Sequence, residues 1–125
     1  MTIEIDIELK FESQLQQNLK SIVNKLPKNY TVEQRGISLY IIYKDASISF
    51  KPLDEAIIIF FHPLIVIREN ISTLNAIVNV GMFYDISETV VCPVRLSKLC
   101  INTLNQFSVN LDVTGYPCND EVLVQ

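Results

Sequence analysis

The chain has 125 residues, of which 49% are hydrophobic, and 14 Asp and Glu against 10 Lys and Arg give it a net charge of −4. A chain of this length and composition forms one folded domain, which we assign to residues 1–125, and global disorder is excluded. The basic residues are scattered along the sequence. Proteins that bind nucleic acid directly present a clustered basic patch to the phosphates, so that class is disfavoured.

The longest apolar run, AIIIFFHPLIVI at Ala56–Ile67, is about 12 residues, shorter than the roughly 20 that a membrane helix needs. The N-terminus is acidic, where a signal peptide would be basic and then apolar. Cys92, Cys100 and Cys118 are odd in number and lack C-x-x-C spacing, as expected of reduced thiols. We therefore expect a cytoplasmic protein that does not contact membranes.

The N-terminal third begins with a strand and a helix. Residues Thr2–Phe11 alternate between apolar and charged side chains, which predicts a half-buried strand. Ser13 and Gln16 have the spacing of a capping box, and apolar residues then recur at helical spacing from Leu15 to Leu26. Pro27 is expected to end this amphipathic helix.

The middle of the chain has strand-like composition. Tyr30–Gln34, Ile37–Tyr43 and Ala46–Lys51 are predicted to form an antiparallel meander. Ala56–Phe61 is predicted to be an inner strand at the centre of the core, because it is apolar on both sides. Pro63 removes an amide donor and should end that strand at His62.

The C-terminal half is predicted to contain short elements followed by a second helix. They are a strand continuation over Leu64–Ile67, a short helix over Ile71–Val78, a strand over Asn79–Asp85, an edge segment at Val90–Cys92, a helix from Pro93 to Phe107, a strand over Ser108–Thr114, a turn at Gly115 and a frayed tail over residues 118–125. The order predicts an α+β fold, a mostly antiparallel sheet with two main amphipathic helices on one face.

His62 is the only histidine, so any histidine-based catalysis would need it. A Ser-His-Asp or Cys-His site would also need a nucleophile and an orienting carboxylate, and no motif supplies them. A pocket near His62 is one interpretation. The other is a structural histidine at the end of the strand, partly buried and hydrogen-bonded.

The other common site chemistries find no support in the sequence. One histidine and three separated cysteines do not have the spacing of zinc ligands. Gly36, Gly81 and Gly115 stand alone, so no glycine-rich phosphate loop opens a helix. We predict no catalytic residue, no metal and no cofactor.

Acidic residues form the strongest pattern with a functional interpretation. Glu4, Asp6 and Glu8 lie on one side of the first strand, about 6.6 to 6.8 Å apart. The row could bind a basic protein partner, or it could be a solvated face or an edge protected against pairing. The lysines considered for neutralising it are Lys10, Lys44 and Lys51.

Loop acids and tyrosines extend this candidate surface. Acidic loops can build a recognition surface, and tyrosine is enriched at binding hot spots, although sheet packing explains Tyr40 and Tyr84 equally well. The predicted partner-binding residues are Glu4, Asp6, Glu8, Asp54, Glu55, Tyr84, Asp85, Glu88 and Tyr116.

The segment from Arg68 to Pro117 carries a set of motif residues. They are Tyr84-Asp85, Leu96-Ser97, Leu104, Phe107, Leu111-Asp112-Val113 and Tyr116. With them, the segment resembles the end of a bacterial domain family of uncharacterised function. The N-terminal half departs from that family, whose tryptophan it lacks. The resemblance implies a fold and a bacterial origin, with no catalytic residue.

The overall profile, a small acidic domain without an enzymatic motif, is similar to the immunity proteins of bacterial toxin systems such as contact-dependent growth inhibition. That likeness implies a cognate toxin as partner, often a nuclease with a basic cleft. We therefore hypothesise a non-enzymatic immunity protein that uses an acidic surface. The alternatives are a small enzyme or ligand-binding domain centred on His62, and a homo-oligomer joined through edge strands.

Overall fold

The structure, a computed structural model, describes residues 3–12, 16–87 and 94–118, with the side chains of residues 16–20 left out. Nine helices and strands occur in these ranges. They are β1 (Ile3–Glu12), α1 (Gln16–Lys25), β2 (Tyr30–Arg35), β3 (Ser38–Tyr43), α2 (Leu53–Phe61), α3 (Arg68–Ser72), β4 (Ile77–Asp85), α4 (Lys98–Gln106) and β5 (Asn110–Cys118). Two 3₁₀ segments, Ala46–Ile48 and His62–Ile67, flank α2.

The strands form one mixed sheet in the order β2-β3-β1-β4-β5. Strand β1 pairs antiparallel with β3 and β4, whereas β4 and β5 run parallel. The predicted α+β class, with a mostly antiparallel sheet and helices on one face, is confirmed. Because β1 is central, its acidic row does not protect an edge of the folded sheet.

The predicted β2–β3 hairpin is confirmed. Arg35 pairs with Ser38, so the connecting loop has two residues. Gly36 occupies the first loop position with φ 63°, the conformation that a type II′ turn requires there and that glycine adopts without strain.

The prediction of an inner strand at Ala56–Phe61 is wrong, because these residues belong to helix α2. Pro52 occupies the N-cap, and Asp54 and Glu55 lie in the first turn, where carboxylates favour a helix. The helix contacts both β1 and α4, so it is apolar around much of its circumference. A short run of this kind has the same pattern in a buried helix and a buried strand.

Two further strand predictions are also wrong. Ala46–Lys51 contains a 3₁₀ turn in which the Asp45 carboxylate accepts the amide of Ser47, a local bond that competes with extended structure. Leu64–Ile67 continues a 3₁₀ segment from His62, with Pro63 near its start, where the missing amide donor costs nothing.

Several predicted boundaries move. The short helix is Arg68–Ser72 instead of Ile71–Val78, and α4 begins after its N-cap Ser97, not at Pro93. No turn forms at Gly115, because β5 pairs with β4 as far as Cys118. Ser13, Val90–Cys92 and Pro93, as well as the tail after Cys118, lie outside the described residues.

The core lies between the helices and the side of the sheet that faces them, which we call the helix side. Phe60 and Phe61 of α2 are fully buried there, as are Leu9, Ile41 and Val78 of the sheet. No helix in the described residues is long and apolar enough to cross a membrane. The first half of the apolar run identified in the sequence, Ala56–Phe61, therefore lies in the central helix of a core covered by the sheet.

Candidate functional site on the open face of the sheet

The side of the sheet that points away from the helices is called the open face. It consists of alternate residues from all five strands, and apart from Ser38 and Asp85 they are exposed or half-buried. Its members, by the pairing register, are Thr31, Glu33, Arg35, Ser38, Tyr40, Ile42, Glu4, Asp6, Glu8, Lys10, Glu12, Ile77, Asn79, Gly81, Phe83, Asp85, Asn110, Asp112, Thr114, Tyr116 and Cys118.

The open face carries a concentrated negative charge. It has two basic residues, Lys10 and Arg35, and seven acidic ones, of which Asp85 is buried, so its net charge is 2 − 7 = −5. The other described residues have seven basic and four acidic side chains. The described part of the molecule is therefore polarised, with one negative side.

Arg35 neutralises one end of the acidic row. Its Nη1 and Nη2 donate to the two carboxylate oxygens of Glu8 at 2.8 and 3.0 Å, and its Nε donates to Glu33 at 3.2 Å. The guanidinium also lies 4.4 Å from the ring centre of Tyr40. These hydrogen bonds raise the pKa of Arg35. The group that pairs with the row is this arginine, and not one of the lysines considered in the sequence.

Asp6 lies at the centre of the row and is exposed. Partial desolvation raises the pKa of its carboxyl, the charges of Glu8 and Glu4 raise it further, and Arg35 opposes them. No basic side chain in the described part of the chain forms an ion pair with Asp6 or Glu4. These two carboxylates are available to an external cation.

A pair of stacked aromatic rings lies beside the row. The rings of Phe83 and Tyr116 are 4.9 Å apart and 16° from parallel. They lie over Gly81, where an added Cβ would come within 3.1 Å of Phe83 and 3.2 Å of Tyr116. Gly81 therefore allows both rings to lie flat on the sheet. Tyr116 keeps 46% of its surface exposed.

These groups border one shallow depression of about 410 Å³. Carboxylates of Asp6, Glu8 and Asp112 line it together with the aromatic pair. Carboxylates accept hydrogen bonds from ammonium and guanidinium groups, and aromatic faces attract the same cations. Chemically, the arrangement suits the basic side chains of a partner.

The predicted partner-binding residues do not all lie together. Glu4, Asp6, Glu8 and Tyr116 share the open face. Asp54 and Glu55 lie in the first turn of α2, and Tyr84 points toward the helix side. Asp85 is buried, and its carboxylate accepts both the amide and the hydroxyl of Ser87. Glu88 lies outside the described residues.

Some groups of the open face were missed in the sequence. Phe83 joins the acidic row through the pairing of β4 with β1, and Asp112 through the further pairing of β5 with β4. Arg35 joins it through the pairing of β2 with β3 and of β3 with β1. The alternation of Asp112 against Leu111 and Val113 did indicate its polar side. The strand order was needed to bring it near β1.

His62 lies at the end of α2 and is exposed, so the expectation of a partly buried, hydrogen-bonded ring at a strand end is wrong. It borders a depression of about 220 Å³ whose other walls include Ile58, Ile65 and Leu99. Among the described residues that line it there is no carboxylate or thiol. The polar groups of this lining are Asn102, Thr103 and Gln106, and the Thr103 hydroxyl donates to the carbonyl of Leu99.

Two cysteines lie in the described ranges. Cys100 is buried and Cys118 is partly exposed, and both are free. Burial raises the pKa of the Cys100 thiol, and the charge of Asp54 raises it further, which keeps the thiol protonated. The described residues contain no group of three or more candidate ligands for a metal ion.

Comparison of the chain with protein-family models, with curated protein sequences and with solved structures finds no match. The resemblance noted for the segment from Arg68 to Pro117 therefore stays a prediction. The functional argument depends on the geometry and charge of the open face.

Proposed function

We propose that this protein is a non-enzymatic immunity protein that binds and neutralises a cognate bacterial toxin through the open face. One observation supports this most: among the described residues, negative charge is concentrated on one side of the sheet, which carries seven acidic and two basic residues. Such a surface attracts a basic partner and orients it during approach. A nuclease toxin with a basic cleft has the complementary charge.

The shape of the open face favours a protein as partner. Five strands at the usual spacing give a surface about 19 Å across between the outer strands, and stable protein interfaces bury about 800 Å² on each side. The depression is shallow and lies among exposed side chains. Small-molecule sites, by contrast, are deep and mostly apolar.

The open face also has features that would select among basic partners. Tyr116 and Phe83 form a rigid aromatic surface next to Asp6, and tyrosine is enriched at binding hot spots. Arg35 places a cation, already bonded to Glu8, on the other side of the depression. A basic partner must keep its own cations away from Arg35, which limits the orientations in which it can bind.

Charge reversal tests the proposal. Glu4→Lys with Asp6→Lys should weaken binding to a cognate toxin domain by at least about tenfold, because two attractive contacts become repulsive. The Glu8–Arg35 pair is kept, so the sheet should stay folded. The measurement is a titration by calorimetry.

The matched control makes the same charge change on the helices. Glu55 and Glu69 are exposed and lie in α2 and α3. Glu55→Lys with Glu69→Lys should bind nearly as well as the natural protein. Equal affinity of both double variants would show that the open face is not the interface.

A further inference from the structure

A recess of about 520 Å³ lies on the helix side, between the first turn of α2, the start of β1 and the residues just before α4. Its floor is apolar, because the buried side chains of Ile5, Leu53 and Met82 line it. Sites that hold small molecules are concave and mostly apolar, with volumes of about 300–1,000 Å³. The recess therefore has the size and the floor of a small-molecule site.

An aromatic ring stands in the wall of this recess. Phe50 is 65% exposed and belongs to the lining, as does the half-buried Ile3. A ligand that covered this ring would remove apolar surface from water, which is the main favourable contribution to binding in an apolar site. The body of the ligand should therefore be apolar.

The charged residues of the lining are mainly basic. Lys51 and Arg95 are exposed, so they lie at the mouth of the recess, and Asp54 is the one acidic residue, which gives 2 − 1 = +1. Neither Lys51 nor Arg95 forms an ion pair with another described residue. The depression of the open face has the opposite balance, with one basic and three acidic residues in its lining. The recess is therefore complementary to a group with a single negative charge.

We infer that the recess binds a small amphipathic carboxylate of the class of the medium-chain fatty acids. Its carboxylate accepts hydrogen bonds from Lys51 and Arg95, since ammonium and guanidinium groups form strong charge-assisted bonds with carboxylates. Its apolar chain lies on the floor and against the ring of Phe50. This site is separate from the open face and does not depend on the identity of any toxin.

The test is a titration of the full chain with sodium decanoate, followed by calorimetry. The dissociation constant should lie below about 1 mM. Octanoate, which is two methylene groups shorter, should bind about 16-fold more weakly, because each buried methylene contributes about fourfold in affinity.

A methionine signal locates the ligand. The sequence has two methionines, and Met82 lies in the floor of the recess. With ¹³C-labelled methionine methyl groups, decanoate should shift the NMR signal of Met82. Decyltrimethylammonium has the same chain length and a positive head group, so it should leave that signal in place.

Variants at the mouth test the role of charge. Lys51→Glu with Arg95→Glu should raise the dissociation constant of decanoate at least tenfold, because two attractive contacts become repulsive. Lys28→Glu with Lys44→Glu is the matched control, since both residues are exposed, lie outside the lining and undergo the same charge change. This control should bind decanoate as the natural protein does. Circular dichroism verifies that both double variants are folded.

A further variant tests the apolar wall. Phe50→Ala should raise the dissociation constant at least threefold, because it removes the ring that the chain covers. Three results would overturn the inference: no shift of the Met82 signal with decanoate, equal affinity of the two double variants, or an equal shift of that signal with decyltrimethylammonium.

Discussion

Single side chains on the open face decide how much of its negative charge is available to a partner. Glu8 is bonded through both oxygens to Arg35, whereas Asp6 and Glu4 have no ion-pair partner among the described residues. Their mutual repulsion stays in the folded protein and opposes its stability. A binding surface often retains such a cost, because the same charges favour the complex.

This repulsion makes the contribution of Asp6 to folding stability depend on pH. Its pKa is raised in the folded state, so the folded protein favours the protonated carboxyl relative to the unfolded chain. Stability from this group is therefore present below the ordinary aspartate pKa of about 3.9 and is lost as pH rises through the raised folded value.

Asp6→Asn should therefore raise the free energy of unfolding at pH 7. The gain should be less than about 1 kcal/mol, because Asp6 is exposed and screened by solvent. At pH 3 the gain should be much smaller. Urea unfolding at both pH values measures the difference, and a variant less stable than the natural protein at pH 7 would contradict the interpretation.

Helix α2 is the element on which the core depends. It packs against β1 and α4, and the hydroxyl of Tyr30 donates to the carbonyl of Phe60 near the end of the helix. Burial raises the pKa of the Tyr30 hydroxyl, which keeps it a donor. The helix therefore contributes to the core through both apolar contact and a buried hydrogen bond.

Phe60→Ala should lower the free energy of unfolding by about 3–5 kcal/mol, because Phe60 is fully buried and its loss leaves a cavity. Phe50 is 65% exposed and gives a matched control. Phe50→Ala should change stability by no more than about 0.5 kcal/mol. Urea unfolding of both variants measures these values, and a similar loss for the two would show that α2 is not central to the core.

Local sequence patterns correctly predicted the type of each element that has one apolar and one polar side. Strand β1 alternates strictly, and α1 and α4 each have one apolar side, so their types were correct. Helix α2 was mistaken for a strand because burial on several sides removes the periodic signal. On the open face, Glu4, Asp6 and Glu8 were predictable as a row because they lie in one strand.

The rest of the open face depends on contacts that no local pattern encodes. Phe83 and Tyr116 stack only because β4 and β5 run parallel in a register that places these residues side by side. Arg35 reaches Glu8 across β3, from a strand on the far side of a hairpin. Strand order, which these contacts require, was not determined by the sequence patterns.

At the scale of the whole molecule, the separation of charge should affect the rate of binding. The open face has a net charge of −5, whereas the other described residues have more basic than acidic side chains. A field of this kind accelerates association with a basic partner and is screened by salt, since the Debye length falls from about 10 Å at 0.1 M to about 3 Å at 1 M.

The association rate constant with the proposed toxin partner should therefore fall steeply as ionic strength rises, while the dissociation rate constant changes less. Surface plasmon resonance at several salt concentrations measures both. The Glu4→Lys and Asp6→Lys double variant should show a flatter dependence of the association rate. An equal slope for the two proteins would show that the charge of the open face does not accelerate association with the partner.

The central position of β1 has a consequence for synthesis of the chain. Strand β1 is made before every other strand, but its second neighbour, β4, is complete only when Asp85 has been added. Until then one edge of β1 has no partner strand. That edge could pair with other copies of the chain that are being translated from the same messenger RNA. Glu4, Asp6 and Glu8 would repel an identical strand in parallel alignment. The same carboxylates that we assign to toxin binding in the folded protein would thus limit aggregation while the chain is still incomplete.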